Sequence, residues 1–94
     1  MAIGILTLHL FLPGCSSLKE KRSRIKPVIH RLHREFNISV AEMDRQDMWK
    51  ETVISCAQVS SDKALLQASL QKVTTFVEKS FPDLQLVQDQ IEII

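Results

Sequence analysis

Seven cations fall between positions 19 and 34 of this chain: Lys19, Lys21, Arg22, Arg24, Lys26, Arg31 and Arg34, with His30 and His33 among them. On a helix, at about 100° per residue, these side chains cover most of the outward arc. Such an array could hold the phosphates of a nucleic acid with a salt-dependent affinity. It could equally be a solvated face whose charges pair with the rest of the chain. Residues 1–34 hold seven Lys/Arg against Glu20 alone, whereas residues 35–94 hold five against ten Asp/Glu, so a net charge of +1 conceals a strong asymmetry.

Three smaller constellations carry weaker chemistry. The loop Pro13-Gly14-Cys15-Ser16-Ser17 precedes a helix start, where free N–H groups and the helix dipole favour an anion and could activate Cys15. A nucleophile needs a positioned base, and none is adjacent in sequence, so a turn and a helix cap are expected instead; His9 lies on the preceding strand. Glu42, Asp44, Asp47 and Glu51 surround a hairpin and could hold a divalent ion, but their spacing matches no metal loop. A polar hairpin tip is expected, with Gln46 and Asp47 making turn hydrogen bonds. Cys15 and Cys56, 41 positions apart, fit neither a CxxC pair nor a zinc knuckle and read as free thiols. No metal or cofactor is expected.

These residues need a scaffold of 94 residues, enough for one core and one domain. Residues 2–12 alternate as a central strand with both faces largely apolar. Ser17 and Glu20 form a capping box that starts a helix with a stripe of Leu18, Ile25, Ile29, Leu32 and Phe36. Pro27 predicts a kink or loosened turn near Ser23, at about 3 kcal/mol. Asn37 closes that helix. Ile38 to Asp44 and Met48 or Trp49 to Val59 form a hairpin of two strands. Ser60, Ser61 or Asp62 caps a second helix burying Leu65, Leu66, Ser69, Leu70, Val73, Phe76 and Val77, and Phe81-Pro82-Asp83 stops it. Leu84 to Ile94 is a last strand whose pattern slips near Gln88 to Gln90, predicting a bulge or a bend.

The order strand, helix, strand, strand, helix, strand predicts an α+β ferredoxin-like βαββαβ sandwich: a four-stranded antiparallel sheet with two helices on one face. The other face then carries Ile3, Ile5 and Phe11, which a second copy of the chain could cover, as could the last strand and Trp49. With Trp49 at the hairpin base, these are the candidate interface residues of a homodimer or protein-interaction module. The longest apolar stretch, residues 1–12, is too short to span a bilayer and lacks a basic leader, so a cytoplasmic protein without membrane contact is expected.

Leu12-Pro13-Gly14-Cys15, Ser17-Leu18-Lys19-Glu20-Lys21-Arg22, Phe36-Asn37-Ile38-Ser39-Val40-Ala41-Glu42, and Gln46-Asp47 with Trp49 resemble the YlxP-like family, small bacterial proteins grouped as a domain of unknown function. The resemblance covers essentially the whole chain. It implies a ferredoxin-like fold and, in many bacteria, a gene neighbourhood shared with translation initiation and ribosome maturation factors; it implies no reaction. Members often carry Arg where this chain has Ser16, which removes one positive charge from the helix entrance.

A βαββαβ domain that reads single-stranded RNA needs aromatic residues on adjacent central strands, and residues 52–59 contain none. Nucleic-acid binding would therefore run through backbone charge and shape, favouring structured RNA such as ribosomal RNA. Acylphosphatases share the architecture but need an Arg in the first loop and an Asn nearby; this loop has no Arg, and Asn37 is the only Asn. The expected function is a non-enzymatic accessory factor in translation or ribosome maturation that binds structured RNA or the ribosomal particle. A dimerisation module using the open sheet face is the alternative, and a small-molecule regulatory domain a third.

Overall fold

A computed structural model describes residues 1–44 and 48–94, with β1 (Ala2–Phe11), α1 (Leu18–Glu35), β2 (Ser39–Asp44), β3 (Glu51–Ser60), α2 (Lys63–Ser80) and β4 (Gln85–Ile93). The strands form one antiparallel sheet in the order β2-β3-β1-β4. This is the ferredoxin-like arrangement, with the two most apolar strands in the middle.

Alternation along β1 assigns the two faces. Ala2, Gly4, Leu6, Leu8 and Leu10 are buried toward the helices, while Ile3, Ile5, Thr7, His9 and Phe11 are half-buried on the opposite face. Each buried Leu contributes about 1.5–3 kcal/mol. Ile25, Val28 and Leu32 of α1 join this core, as do Leu66, Leu70, Val73 and Val77 of α2. Gly4 is where α2 settles onto the sheet: a Cβ there would lie 2.6 Å from Leu70 Cδ1 and 2.9 Å from Leu66 Cγ.

Several boundaries differ from the sequence pattern. Phe36 does not extend α1 but caps it in extended conformation (φ −133°, ψ 147°) and packs edge-on against Phe76, with ring centroids 5.5 Å apart. Leu65 is 66% exposed, and Thr74 takes a buried place on α2 instead. α1 runs unbroken through Pro27; both Ser23, whose carbonyl loses its usual donor, and Pro27 are exposed, which leaves that carbonyl to water. Asp62 is the α2 cap, its Oδ1 accepting from the N–H groups of Ala64 and Leu65.

The irregularity in β4 falls at Val87, since His9 pairs with Gln88 but Leu10 with Leu86. One extra residue is what the spacing of Leu86 and Ile91 requires if both are to face the helices, as their half-buried packing on the core shows. A second register shift, at Met43, interrupts β2. The turn hydrogen bonds expected of Gln46 and Asp47 lie outside the described residues.

Candidate functional site

The entrance to α1 is built from Pro13-Gly14, where Gly14 adopts φ +73°, a conformation that strains any residue with a Cβ. Ser17 Oγ accepts from the Glu20 N–H at 3.0 Å, and Glu20 Oε2 accepts from the Ser16 N–H at 2.6 Å. That backbone donor, more than any other group, holds the Glu20 carboxyl below its ordinary range. The helix N-terminus thus already has its anion, supplied by the chain itself. Cys15 is fully buried, with Sγ donating to Ser17 O at 3.5 Å. Neither a phosphate cradle nor an accessible thiol is present at this loop.

The cations of α1 divide into two groups. Lys21 is 2% exposed: its Nζ lies 3.0 Å from Glu42 Oε2, and Thr52 Oγ1 donates to the same oxygen at 2.6 Å. Arg24 Nη1 donates to Pro13 O at 2.9 Å while Nη2 donates to Asp83 O at 3.2 Å, so this side chain ties the β1–α1 turn to the turn between α2 and β4. The Arg31 guanidinium lies 5.0 Å from the Phe76 ring centroid and 5.6 Å from that of Phe81. All three sit off the outward arc that sequence spacing assigned to them.

Lys19, Arg22 and Lys26 are exposed and make no ion pair among the described residues. With His30, His33 and Arg34, also exposed, they follow steps of three and four along one side of α1. From Lys19 to Arg34 the stripe is about 22 Å long at 1.5 Å per residue. Among the described residues its only acidic contact is Glu35, whose Oε1 is 3.8 Å from Arg34 Nε, with the Arg34 side chain 71% exposed. An exposed pair at that distance does little to neutralise the stripe.

Lys21 was findable. Positions 18, 21, 25, 28 and 32 form one heptad-like series, and Lys21 stands in it between Leu18 and Ile25, where an apolar residue would be expected. Its partner could not be read, because Glu42 reaches α1 only through the pairing of β2 with β3.

The acidic group at the hairpin does not converge on one point. Glu42 faces the helices, whereas Glu51 lies on the open face and accepts from His9 Nε2 at 3.0 Å through Oε1. Asp47 lies outside the described residues, and no set of three His, Cys, Asp or Glu among those described could hold a metal ion. No described helix is long and apolar enough to cross a membrane. Of the interface candidates, Ile3, Ile5 and Phe11 are half-buried and Trp49 is 52% exposed.

A family model described as "Protein of unknown function (DUF503)" matches residues 3–91. The chain belongs to the DUF503 family. It is 35% identical over 83 residues to "Uncharacterized protein YlxP" of Bacillus subtilis (strain 168), covering 88% of this chain and 89% of that one. Among solved structures, the de novo designed protein Foldit4 superposes with a TM-score of 0.54 at 12% identity over 100% of this chain and 97% of that one. A de novo designed protein with ferredoxin fold gives 0.49 at 9% identity over 100% and 83%. At 12% identity the likeness to Foldit4 speaks to architecture alone.

Proposed function

We propose that this DUF503 chain is a non-enzymatic accessory factor of translation or ribosome maturation that binds structured RNA, ribosomal RNA above all, through the outward stripe of α1. The observation that carries the reading is the row Lys19, Arg22, Lys26 and Arg34: four permanent cations on one rigid helix, three of them without an acidic partner among the described residues. A rigid row of point charges and one forked guanidinium pair suits phosphate groups along a nucleic-acid backbone. Four phosphate contacts correspond to a slope of log K against log salt on the order of −3 to −4.

The test is co-sedimentation with ribosomal particles at two salt concentrations. Wild-type protein should pellet at low salt and be released at high salt, and Arg22→Glu with Lys26→Glu should remain in the supernatant at both. Undiminished binding by that double variant would overturn the reading. Lys21 and Arg24 are unsuitable targets, since replacing either disturbs an internal contact.

A second reading is favoured by the apolar half of the open face. Ile5 lines a hollow of about 370 Å³ together with Ala41, Met43 and Ala57, and Met43 and Val59 are 60% and 63% exposed. Contact with a second copy of the chain would cover them. Light scattering should then show a dimer that Ile5→Asp dissociates.

A further inference from the structure

Leu65 stands in the first turn of α2 and is 66% exposed, although an apolar side chain of that size usually turns inward. A second row on the helix explains its place. Leu65, Ala68, Lys72 and Phe76 follow one another in steps of three and four, and Lys79 continues the row. The buried residues Leu66, Leu70, Val73 and Val77 follow a different row. α2 thus carries apolar side chains along two lines, one filled by the sheet and the other left outside. From Leu65 to Phe76 the outer line runs about 17 Å at 1.5 Å per residue.

Along this line lies a hollow of about 530 Å³, lined by Phe36, Ala68, Gln71, Lys72, Thr75 and Phe76. Phe36 reaches it from the end of α1 and stands edge-on to Phe76. Ala68 projects only a methyl group, so a second backbone can approach closely there. None of the described residues lining the hollow is acidic. Lys72, in its wall, makes no ion pair among the described residues. Neither does Arg31, whose guanidinium is held 5.0 Å from the Phe76 centroid. Glu35, beside Phe36 in sequence, lies against Arg34 instead. Two phenyl rings and an exposed leucine are therefore accompanied by cations that have no acidic partner within the described chain.

We infer that this outer row of α2 docks an amphipathic helix of a partner protein, with apolar side chains meeting Leu65 and Phe76 and acidic residues meeting Lys72 and Arg31. An amphipathic helix presents its anchors at the same three- and four-residue steps, and its ridges pack into the grooves of another helix. Charge selects the partner: the two cations attract carboxylates and reject a basic face. RNA fits less well, because phosphate groups would leave Leu65 and the rings uncovered. None of these residues belongs to the stripe of α1 proposed to meet RNA.

The probe is a fluorescein-labelled helical peptide of about sixteen residues, with Leu at three- and four-residue steps and Glu between them, followed by fluorescence anisotropy. A twin with Lys in place of Glu keeps the apolar face and inverts the charge. The Glu peptide should bind saturably, and the Lys peptide roughly tenfold more weakly. Leu65→Gln and Lys72→Glu alter exposed side chains, so both variants should stay folded, which circular dichroism checks. Each should weaken binding of the Glu peptide by about fivefold or more. Lys72→Glu should also tighten binding of the Lys peptide. Arg22→Glu with Lys26→Glu should bind the Glu peptide as wild type does.

Equal binding of the two peptides, affinity unchanged by Leu65→Gln or by Lys72→Glu, or no saturable binding at all would overturn the inference. So would loss of the Glu peptide in the α1 double variant, which would place it on the α1 stripe, or in Ile5→Asp, which would place it on the open sheet face. Displacement of the peptide by an RNA hairpin that Lys72→Glu no longer binds would give the row to nucleic acid. Loss of ribosome sedimentation with intact peptide binding would leave this surface standing while the α1 reading fails, and the converse result is equally readable.

Discussion

Replacing Lys21 by Met should unfold this protein far more readily than replacing its neighbour Arg22, although the two are adjacent cations on one helix. Met keeps most of the aliphatic stem of Lys21, so the loss is mainly electrostatic. Glu42, whose side chain is 21% exposed, loses the ammonium group 3.0 Å from Oε2 while still accepting from Thr52. Breaking a fully buried pair costs about 3–5 kcal/mol; partial access of water to Glu42 brings the expected cost to about 2–3 kcal/mol. Glu42→Gln leaves the charge on the other partner, Lys21, which is 2% exposed, and belongs at the upper end of that range. With a urea slope near 1 kcal/mol per molar, at the low end for small domains, the Lys21→Met midpoint should fall by about 2–3 M. Arg22→Met should stay within about 0.5 kcal/mol of wild type. The assay is urea denaturation followed by circular dichroism, with the Lys21→Met, Glu42→Gln double variant completing a cycle: its cost should be smaller than the two single costs together. If Lys21→Met and Arg22→Met proved equally mild, Lys21 would belong to the surface stripe and the division of α1 into inward and outward cations would be refuted.

Other perturbations follow from the same contacts. Gly4→Ala should cost about 1–3 kcal/mol by pushing a methyl group into Leu70 and Leu66, read as a lower melting temperature by about 4 °C or more. Burial pushes the Cys56 thiol up to about 12, and Cys15 is equally hidden, so neither should react with a thiol reagent at pH 8 until the protein is denatured. Rapid native modification would contradict the packing around both. Glu20 titrates lower in the folded chain than in the unfolded one, so its hydrogen bond with Ser16 contributes stability above the ordinary value of 4.5 that is lost as pH falls through the lowered value. Glu20→Gln should therefore flatten this part of the acid limb in a plot of unfolding midpoint against pH.

The fold was legible because each element carries its own local signal. Ser17 marks the first helix start and the run Ser60 to Asp62 the second, the alternation of residues 2–11 marks the central strand, and the slip near Gln88 to Gln90 marks a bulge or bend that the register places at Val87. What periodicity could not settle was the role of each cation. Arg24 and Arg31 flank the buried stripe of α1, and their sides are decided by partners far along the chain, Asp83 for one and the Phe76 and Phe81 rings for the other. The hydrogen bond between His9 and Glu51 joins residues 42 positions apart and exists only through the β1–β3 register, so two residues read separately as a strand histidine and a hairpin acid become one feature of the open face.

The two register shifts fall on β4 and β2, the outer strands of the sheet. A straight outer strand presents an unbroken row of N–H and C=O groups on which another chain can add, and a bulge spoils that row by bending it and leaving a residue out of step. Both rims of this small sheet carry such a defect. Growth of strands from molecule to molecule, the route to swapped dimers and fibrils, is thereby discouraged on either side. A small domain that exposes much of one sheet face can thus be concentrated in solution without its hydrogen-bonding edges zipping together, and any association with its own kind is steered away from the rims and onto the face.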